Sequence, residues 1–326
     1  MSNSKILVTG GTGFIGSHLC EFLVKKGLRV KAFDRYNPQN HAGWLENSPL
    51  KGEIEIVLGD IRDFDSVFKA SEDCSTIFHL AALVGIPYSY ISPLAYIETN
   101  IKGTYNVLES SKTNNIDQLL LTSTSETYGT ARYVPMDEEH PFKGQSPYAA
   151  SKISADQLAI SYFLSFDLPV KIVRPFNNYG PRQSARAIIP TIISQVLAEK
   201  KEIDLGNTSP TRDFTYVEDT CDAILDISLN EKYFGEAVNI GTGSEISIFE
   251  LVKKIALICG KEIKISEDKE RVRKKGSEVE RLLASTEKLK KETNWSPKHS
   301  LDEGLVKTID WFKDNIHSVN PDSYNV

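Results

Sequence analysis

The chain lacks long apolar runs, carries little cysteine and has no excess of positive charge. No stretch approaches the roughly 20 apolar residues that a helix needs to cross a bilayer, which argues against a membrane-spanning protein. The four cysteines, Cys20, Cys74, Cys221 and Cys259, lie far apart and match no metal or redox spacing. They read as reduced thiols of a cytosolic protein, and no metal site is expected. A formal net charge of −6 argues against a broad nucleic-acid surface. No internal repeat, low-complexity tract or long linker interrupts the 326 residues. The first residues run into a strand pattern without a signal peptide, so a soluble, cytoplasmic protein is expected. The remaining composition, 40% hydrophobic and 25% charged, is that of one large or two ordinary globular domains.

What is present begins with Ile6-Leu7-Val8, a short apolar run suited to a buried parallel strand. Thr9-Gly10-Gly11-Thr12-Gly13-Phe14-Ile15-Gly16 follows, and then a helix-like stretch from Ser17. Glycines at 10, 13 and 16 permit a tight turn, backbone approach to a pyrophosphate and close packing of helix on strand. The helix N-terminus would offer the phosphates free N–H groups and a positive dipole end. A second strand pattern, Leu28 to Phe33, ends at Asp34. An acid there would accept both ribose hydroxyls, favouring NAD over NADP, whereas the neighbouring Arg35 can hold a 2′-phosphate.

Further strand patterns occupy Ile54–Ile61, Thr76–Ala82, Leu119–Ser123, Val170–Pro175 and Ala237–Gly241, with a helix over Asp63–Ala70. His79, in an apolar strand, reads as a satisfied core histidine. The fifth strand delivers Thr124-Ser125-Glu126 to the carboxyl edge of the sheet, where open α/β sheets bind ligands. A helix then opens at Ser146-Pro147, with Ser146 as cap. It carries Tyr148-Ala149-Ala150-Ser151-Lys152, which puts a phenol and an ammonium on one helix face. A free tyrosine titrates near about 10, and a nearby lysine charge is expected to lower that value. Such a pair can take a proton from a sugar hydroxyl while a cofactor takes the hydride.

The Gly-x-x-Gly-x-x-Gly spacing with the Tyr-x-x-x-Lys resembles the extended short-chain dehydrogenase/reductases that act on nucleotide sugars as epimerases and dehydratases. The resemblance covers nearly the whole chain. It implies that Phe14 and Ile15 join the glycine loop at the cofactor, that Asp60-Ile61 contacts the adenine, and that Leu80-Ala81-Ala82 lies beside the cofactor. Asn100, on the next long helix, would support the active site and face NAD. Thr124 would bind the oxygen on carbon 4, Tyr148 would be the base, and Lys152 would hold the nicotinamide ribose. Ser123-Thr124-Ser125-Glu126-Thr127-Tyr128-Gly129 resembles the 4,6-dehydratases. Glu126 would there remove the carbon-5 proton, while the plain reading of it is an exposed loop glutamate. Ser125 stands where glucose-type dehydratases carry Asp, so Glu126 is expected to act as both base and acid with Ser125 orienting it. The same Thr-Ser-Glu occurs in some nucleotide-sugar decarboxylases.

In the second half, Asn177-Asn178-Tyr179-Gly180-Pro181-Arg182 and Arg212-Asp213-Phe214-Thr215-Tyr216-Val217-Glu218-Asp219 resemble substrate motifs of the family. They imply that Asn177 contacts the sugar or its phosphate and that Arg212 forks onto the pyrophosphate. Val84 and Arg186 are further substrate residues. Asp219 is expected to cap the next helix, and Ser247 the one after it. The run Arg271-Val272-Arg273-Lys274-Lys275 reads either as a solvated face or as the place where Arg273 holds the second phosphate. Helices are expected over 187–198, Ser285–Trp295 and Leu301–Phe312.

The expected fold is α/β: a doubly wound parallel Rossmann sheet of about seven strands with a smaller, discontinuous substrate domain. Residues 1–176 and 213–240 are assigned to the NAD-binding domain, and 177–212 with 241–326 to the nucleotide-sugar domain. Ile86-Pro87-Tyr88-Ser89-Tyr90 and Arg182-Gln183-Ser184-Ala185-Arg186 look like dehydratases of the legionaminic-acid branch. That resemblance implies conversion of UDP- or GDP-N-acetylglucosamine to a 4-keto-6-deoxy sugar for cell-surface glycans. It also implies a homodimer built through the Asn100 and Tyr148 helices. The alternatives are a 4-epimerase, a UDP-glucuronate-type decarboxylase and, in another class, a non-enzymatic NAD-binding regulator.

Overall fold

The computed structural model describes residues 5–268 and 271–315. Seven strands form one parallel sheet: β1 (Lys5–Thr9), β2 (Val30–Arg35), β3 (Ile54–Gly59), β4 (Cys74–His79), β5 (Gln118–Thr122), β6 (Val170–Pro175) and β7 (Ala237–Ile240). The order across the sheet is β7-β6-β5-β4-β1-β2-β3. Val8 pairs with Ala32 on one side and Phe78 on the other. The chain starts in the middle, winds outward through β2 and β3, and returns to lay β4 against the free side of β1. That reversal opens a crevice above the carboxyl ends of β1 and β4, where such sheets bind ligands.

The strands carry short apolar stretches, such as Leu7-Val8, Ile77-Phe78 and Leu119-Leu120-Leu121, because both faces of the sheet are covered. The principal helices are α1 (Phe14–Lys25), α2 (Phe64–Ser71), α3 (Gly103–Thr113), α4 (Pro147–Phe166), α5 (Ile188–Leu197), α6 (Val217–Leu229), α7 (Ile248–Ile258) and α8 (Leu301–Asp314). Successive strand residues point to opposite faces. Val8, Leu120 and Val173 therefore join Leu19 and Leu23 of α1 and Ile224 of α6 in one core. Leu7, Leu121 and Ile172 join Val67 of α2, Val107 of α3 and Ala155 of α4 in the other. The doubly wound α/β fold expected from sequence is present.

The first core continues into the second half of the chain, through Ile192 of α5, Leu251 of α7 and Ile309 of α8. Three small sheets sit there, including a parallel pair of Asn177–Tyr179 with Phe214–Tyr216 and another of Glu202–Leu205 with Lys264–Glu267. The helix expected over Ser285–Trp295 is shorter, Glu287–Thr293, and the one from Leu301 runs on to Asp314. Ser247 caps α7 through a full capping box. Asp219 does not cap α6, which starts at Val217 without a side-chain cap. Its carboxylate is drawn instead to His299, accepting from the backbone N–H at 3.1 Å and contacting Nδ1 at 2.9 Å. Among the described residues, no helix is long and apolar enough to cross a membrane.

Candidate active site

The carboxyl end of β5 and the first turns of α4 bring the expected reactive groups together. Thr124 caps the single helical turn Ser125–Tyr128, its Oγ1 accepting from the Glu126 N–H at 3.3 Å. Ser146 Oγ accepts from the Ala149 N–H at 3.1 Å and Pro147 fills the first turn, so α4 begins where the sequence places it. Tyr148 and Lys152 then lie one turn apart, both buried. The Thr124 side chain lies close enough to the phenol to favour its ionised form. Lys152 Nζ donates to the carbonyl of Thr122 at 2.7 Å.

The electrostatics differ from the sequence expectation at one point. Burial pushes the Tyr148 phenol above its usual range, with Thr124 acting against it. Burial dominates at the phenol, and the Lys152 amine is turned away onto the Thr122 carbonyl. Burial also pulls the Lys152 amine down to about 8.

Glu126 is half-buried, not the freely exposed loop residue of the plain reading. Its charge adds, behind burial, to the rise of the Tyr148 phenol, and it favours the charged form of the Arg212 guanidinium. The carboxylate is thus within electrostatic reach of both side chains. Ser125, next to it, is buried. Arg212 is buried too, and its amino groups are spent differently than expected. Nη1 donates to the Thr211 carbonyl at 2.9 Å and Nη2 to the Val279 carbonyl at 2.6 Å, with Glu278 3.7 Å away. The fork is therefore partly closed by backbone before any phosphate is considered.

The crevice between β1 and β4 has the features of a dinucleotide cradle. Gly10 has φ +71°, and a Cβ there would lie 2.9 Å from the Ala81 nitrogen. A Cβ on Gly16 would lie 2.0 Å from the Gly10 carbonyl oxygen. α1 starts at Phe14 and Ile15, after Gly13, with no side-chain cap, so its first N–H groups have no carboxylate or hydroxyl of their own to serve. Leu80 N–H donates to the Thr9 carbonyl at 3.1 Å and Ala81 N–H to Thr9 Oγ1 at 3.3 Å, which carries Leu80-Ala81-Ala82 across the cleft. Asp34 accepts from the Thr12 N–H at 3.0 Å and hydroxyl at 2.7 Å, both on Oδ2, and from the Arg35 N–H on Oδ1. Arg35 itself is exposed. Asp60, just beyond β3, is clasped by Arg62, whose Nε is 3.0 Å from Oδ1, and Ile61 is buried against Gly103. The donor set and the missing side chains fit an adenine dinucleotide.

Asn100 occupies a π-helical turn, Ile97–Lys102, ahead of α3. Its Oδ1 accepts from the Leu83 N–H at 2.8 Å, and Nδ2 donates to the Leu83 carbonyl at 3.0 Å and to Ser151 Oγ at 2.9 Å. One buried amide thus ties the loop after β4 to the helix of Tyr148. His79 contacts Thr9 Oγ1 through Nδ1 at 2.7 Å and Thr104 Oγ1 through Nε2 at 3.1 Å. With burial pulling its pKa down to about 3, it is a neutral, satisfied core histidine.

The residues expected at the substrate are divided. Asn177 Oδ1 and Arg273 Nη1 are both buried without a hydrogen-bond partner, although Arg273 stands 3.8 Å from Glu278. Native proteins leave few such atoms, and a bound ligand is one way they are satisfied. Arg186 is exposed, with Nη1 4.0 Å from where a Cβ on Gly85 would stand, and Val84 beside it is 65% exposed. Arg182 turns the other way, donating to Ser17 Oγ at 3.1 Å and Glu21 Oε1 at 3.0 Å on α1. Sequence reasoning missed Tyr96, whose ring meets that of Tyr148 edge-on at 6.2 Å, and the buried pair Asp156 and Arg174. For Asp156 a signal existed, since it lies one turn beyond Lys152 on the same helix face.

Residues 7–308 match the family model described as GDP-mannose 4,6 dehydratase. The chain belongs to that family. It is 30% identical over 322 residues to dTDP-D-glucose 4,6-dehydratase of Homo sapiens, covering 96% of this chain and 91% of that protein. It is 33% identical over 320 residues to UDP-N-acetyl-alpha-D-glucosaminuronate decarboxylase of Bacillus cytotoxicus, covering 95% and 98%. Among solved structures, DesIV, a dTDP-glucose 4,6-dehydratase from Streptomyces venezuelae with NAD and TYD bound, superimposes with a TM-score of 0.89 at 28% identity. That match covers 97% of this chain and 99% of DesIV. Members of the family are NAD-dependent nucleotide-sugar dehydratases and epimerases, and NAD is their cofactor.

Proposed function

We propose that this protein is an NAD-dependent nucleotide-sugar 4,6-dehydratase that acts on UDP- or GDP-N-acetylglucosamine and yields the 4-keto-6-deoxy sugar. The observation that carries the reading is the position of Glu126, half-buried and within electrostatic reach of both the Tyr148 phenol and the Arg212 guanidinium. An epimerase that only oxidises and reduces carbon 4 has no use for a carboxylate there.

NAD, when bound, supplies the hydride acceptor for carbon 4 and the hydride donor for carbon 6. Gly10, Gly13, Phe14, Ile15 and Gly16 would hold its pyrophosphate, Asp34 its adenosine ribose, Asp60 and Ile61 its adenine, and Lys152 its nicotinamide ribose. Tyr148 takes the proton of the carbon-4 hydroxyl, which Thr124 orients. The resulting ketone acidifies the carbon-5 proton. Glu126, oriented by Ser125, removes that proton and gives it to the carbon-6 hydroxyl, which leaves as water. Carbon 5 regains a proton as hydride reaches carbon 6, balancing the one Tyr148 took. Asn177 and Arg273, whose buried Oδ1 and Nη1 lack hydrogen bonds, bind the sugar and phosphates.

The division into an NAD-binding part, 1–176 with 213–240, and a nucleotide-sugar part, 177–212 with 241–326, belongs to the same proposal. So does the homodimer through α3 and α4, for which the exposed Tyr105, Leu164 and Phe166 leave apolar surface on those helices. A monomer mass in light scattering at micromolar concentration counts against it.

A decarboxylase is the second reading, favoured by the Bacillus cytotoxicus relative. It needs a cation for a sugar carboxylate. Arg182 is engaged with Glu21, which leaves Arg186 beside Gly85 for that role. Incubation with a panel of nucleotide sugars, read by product mass, separates the readings. Loss of one water supports the dehydratase, loss of carbon dioxide the decarboxylase, and unchanged mass with a new isomer the epimerase.

A further inference from the structure

Behind the reactive groups lies a buried charge pair with no part in the chemistry described above. Asp156 is fully buried on α4, one turn past Lys152. Its Oδ2 accepts from Ser123 Oγ at 2.8 Å and from Arg174 Nε at 3.1 Å, with Arg174 Nη2 also 3.1 Å away. Its Oδ1 is buried and has no hydrogen-bond partner. Arg174 Nη1 donates to the Tyr128 hydroxyl at 2.9 Å, and the guanidinium lies over the rings of Tyr128 and Phe142. Tyr128 in turn donates to Asn239 Oδ1 at 2.8 Å.

The members of this network sit next to every proposed reactive group. Ser123 immediately precedes Thr124, Tyr128 closes the turn that carries Glu126, and Asp156 shares a helix with Tyr148 and Lys152. Two buried ions are costly to desolvate, and such a pair holds only when its remaining lone pairs are satisfied. The unsatisfied Oδ1 is therefore the informative atom, and Lys152 is the cation one helical turn away. The other polar groups facing Lys152 are the Thr122 carbonyl, Tyr148 and the neutral His79.

We propose that Asp156 and Arg174 are a positioning pair that holds the Thr124–Glu126 turn against the Tyr148–Lys152 helix, and that Asp156 keeps the Lys152 amine charged. The role given to Lys152 in oxidation rests on the dehydratase reading, but the charge relationship does not. Burial draws the amine down and the Asp156 carboxylate is the group that opposes it. Removing that carboxylate lets the lysine lose its proton at lower pH.

The test is a pH titration of the Lys152 side chain by NMR in protein carrying isotope-labelled lysine, with the signal assigned by its loss in Lys152→Met. It needs no substrate, so its outcome is independent of which sugar reaction the enzyme runs. Asp156→Asn is expected to move the titration down by roughly one pH unit or more, the usual effect of losing a nearby opposite charge. Asp156→Glu, which retains charge but disturbs the Arg174 fork, is expected to keep the titration within about half a unit of the wild type while lowering kcat more than it raises KM. An unchanged titration in Asp156→Asn overturns the proposal. Should that variant not fold, Asp156→Glu decides alone: a downward shift of a full unit overturns the charge role, and an unaltered kcat overturns the positioning role.

Discussion

Lys152 Nζ donates to the carbonyl of Thr122 at 2.7 Å, two residues before the threonine that acts on the Tyr148 phenol. The lysine is thereby anchored to the end of β5 and buried, and its position carries a stability cost.

That cost has a pH signature. Burial draws the amine in the folded protein down to about 8, from an ordinary value of 10.5. Because the folded value is depressed, the unfolded chain binds more protons between these two values, and stability contributed by this site rises with pH across that window. At neutral pH the penalty is fully present, on the order of 3 kcal/mol. Lys152→Met is therefore expected to gain stability relative to the wild type at pH 7, and to lose much of that advantage as pH rises toward 10, while losing catalytic activity. Thermal melts of both proteins across the pH range check this. A melting difference independent of pH contradicts it.

Gly16 faces the Gly10 carbonyl so closely that a Cβ would stand 2.0 Å from the oxygen. The backbone there has no flexible neighbour to move aside. Gly16→Ala is expected to displace the turn, costing roughly 1–3 kcal/mol of stability and at least an order of magnitude in NAD affinity. Fluorescence titration with NADH and a melting curve measure the two effects. Wild-type affinity in the variant excludes the glycine turn as the pyrophosphate seat.

Asn177 and Arg273 make a different prediction, because their buried Oδ1 and Nη1 form no hydrogen bond within the protein and the Arg273–Glu278 ion pair is long, at 3.8 Å. Asn177→Ala and Arg273→Ala are each expected to leave the melting temperature nearly unchanged. Nucleotide-sugar affinity is expected to weaken by roughly 1–3 kcal/mol, about fivefold or more, for the loss of a charge-assisted or buried hydrogen bond. Calorimetry with UDP and GDP sugars reads this. Unaltered affinity in both variants removes them from the substrate site.

The sequence made the sheet legible for a physical reason. Strands covered on both faces are mostly apolar, so runs such as Leu119-Leu120-Leu121 stand out, and glycines that touch backbone cannot be replaced by larger residues. The helix carrying Tyr148 and Lys152 was legible from its cap and its spacing. Side-chain destinations were not. Asp219 serves a histidine 80 positions away, Arg182 reaches back to Glu21 on α1, and Arg212 spends its donors on backbone carbonyls. Each depends on which distant segment packs alongside, and local spacing carries no record of that. Nor could spacing show that burial would raise the Tyr148 phenol.

The most direct test concerns Glu126. In the proposed mechanism it acts only after carbon 4 has been oxidised, so Glu126→Gln should bind NAD and substrate, carry out that first step and stop. Mixing the variant with the nucleotide sugar that the wild type dehydrates should give a lasting NADH absorbance, with dehydration slowed by roughly 10²–10⁴-fold, the usual contribution of a general base. Full dehydration by the variant, with the product lighter by one water at the wild-type rate, would contradict the account.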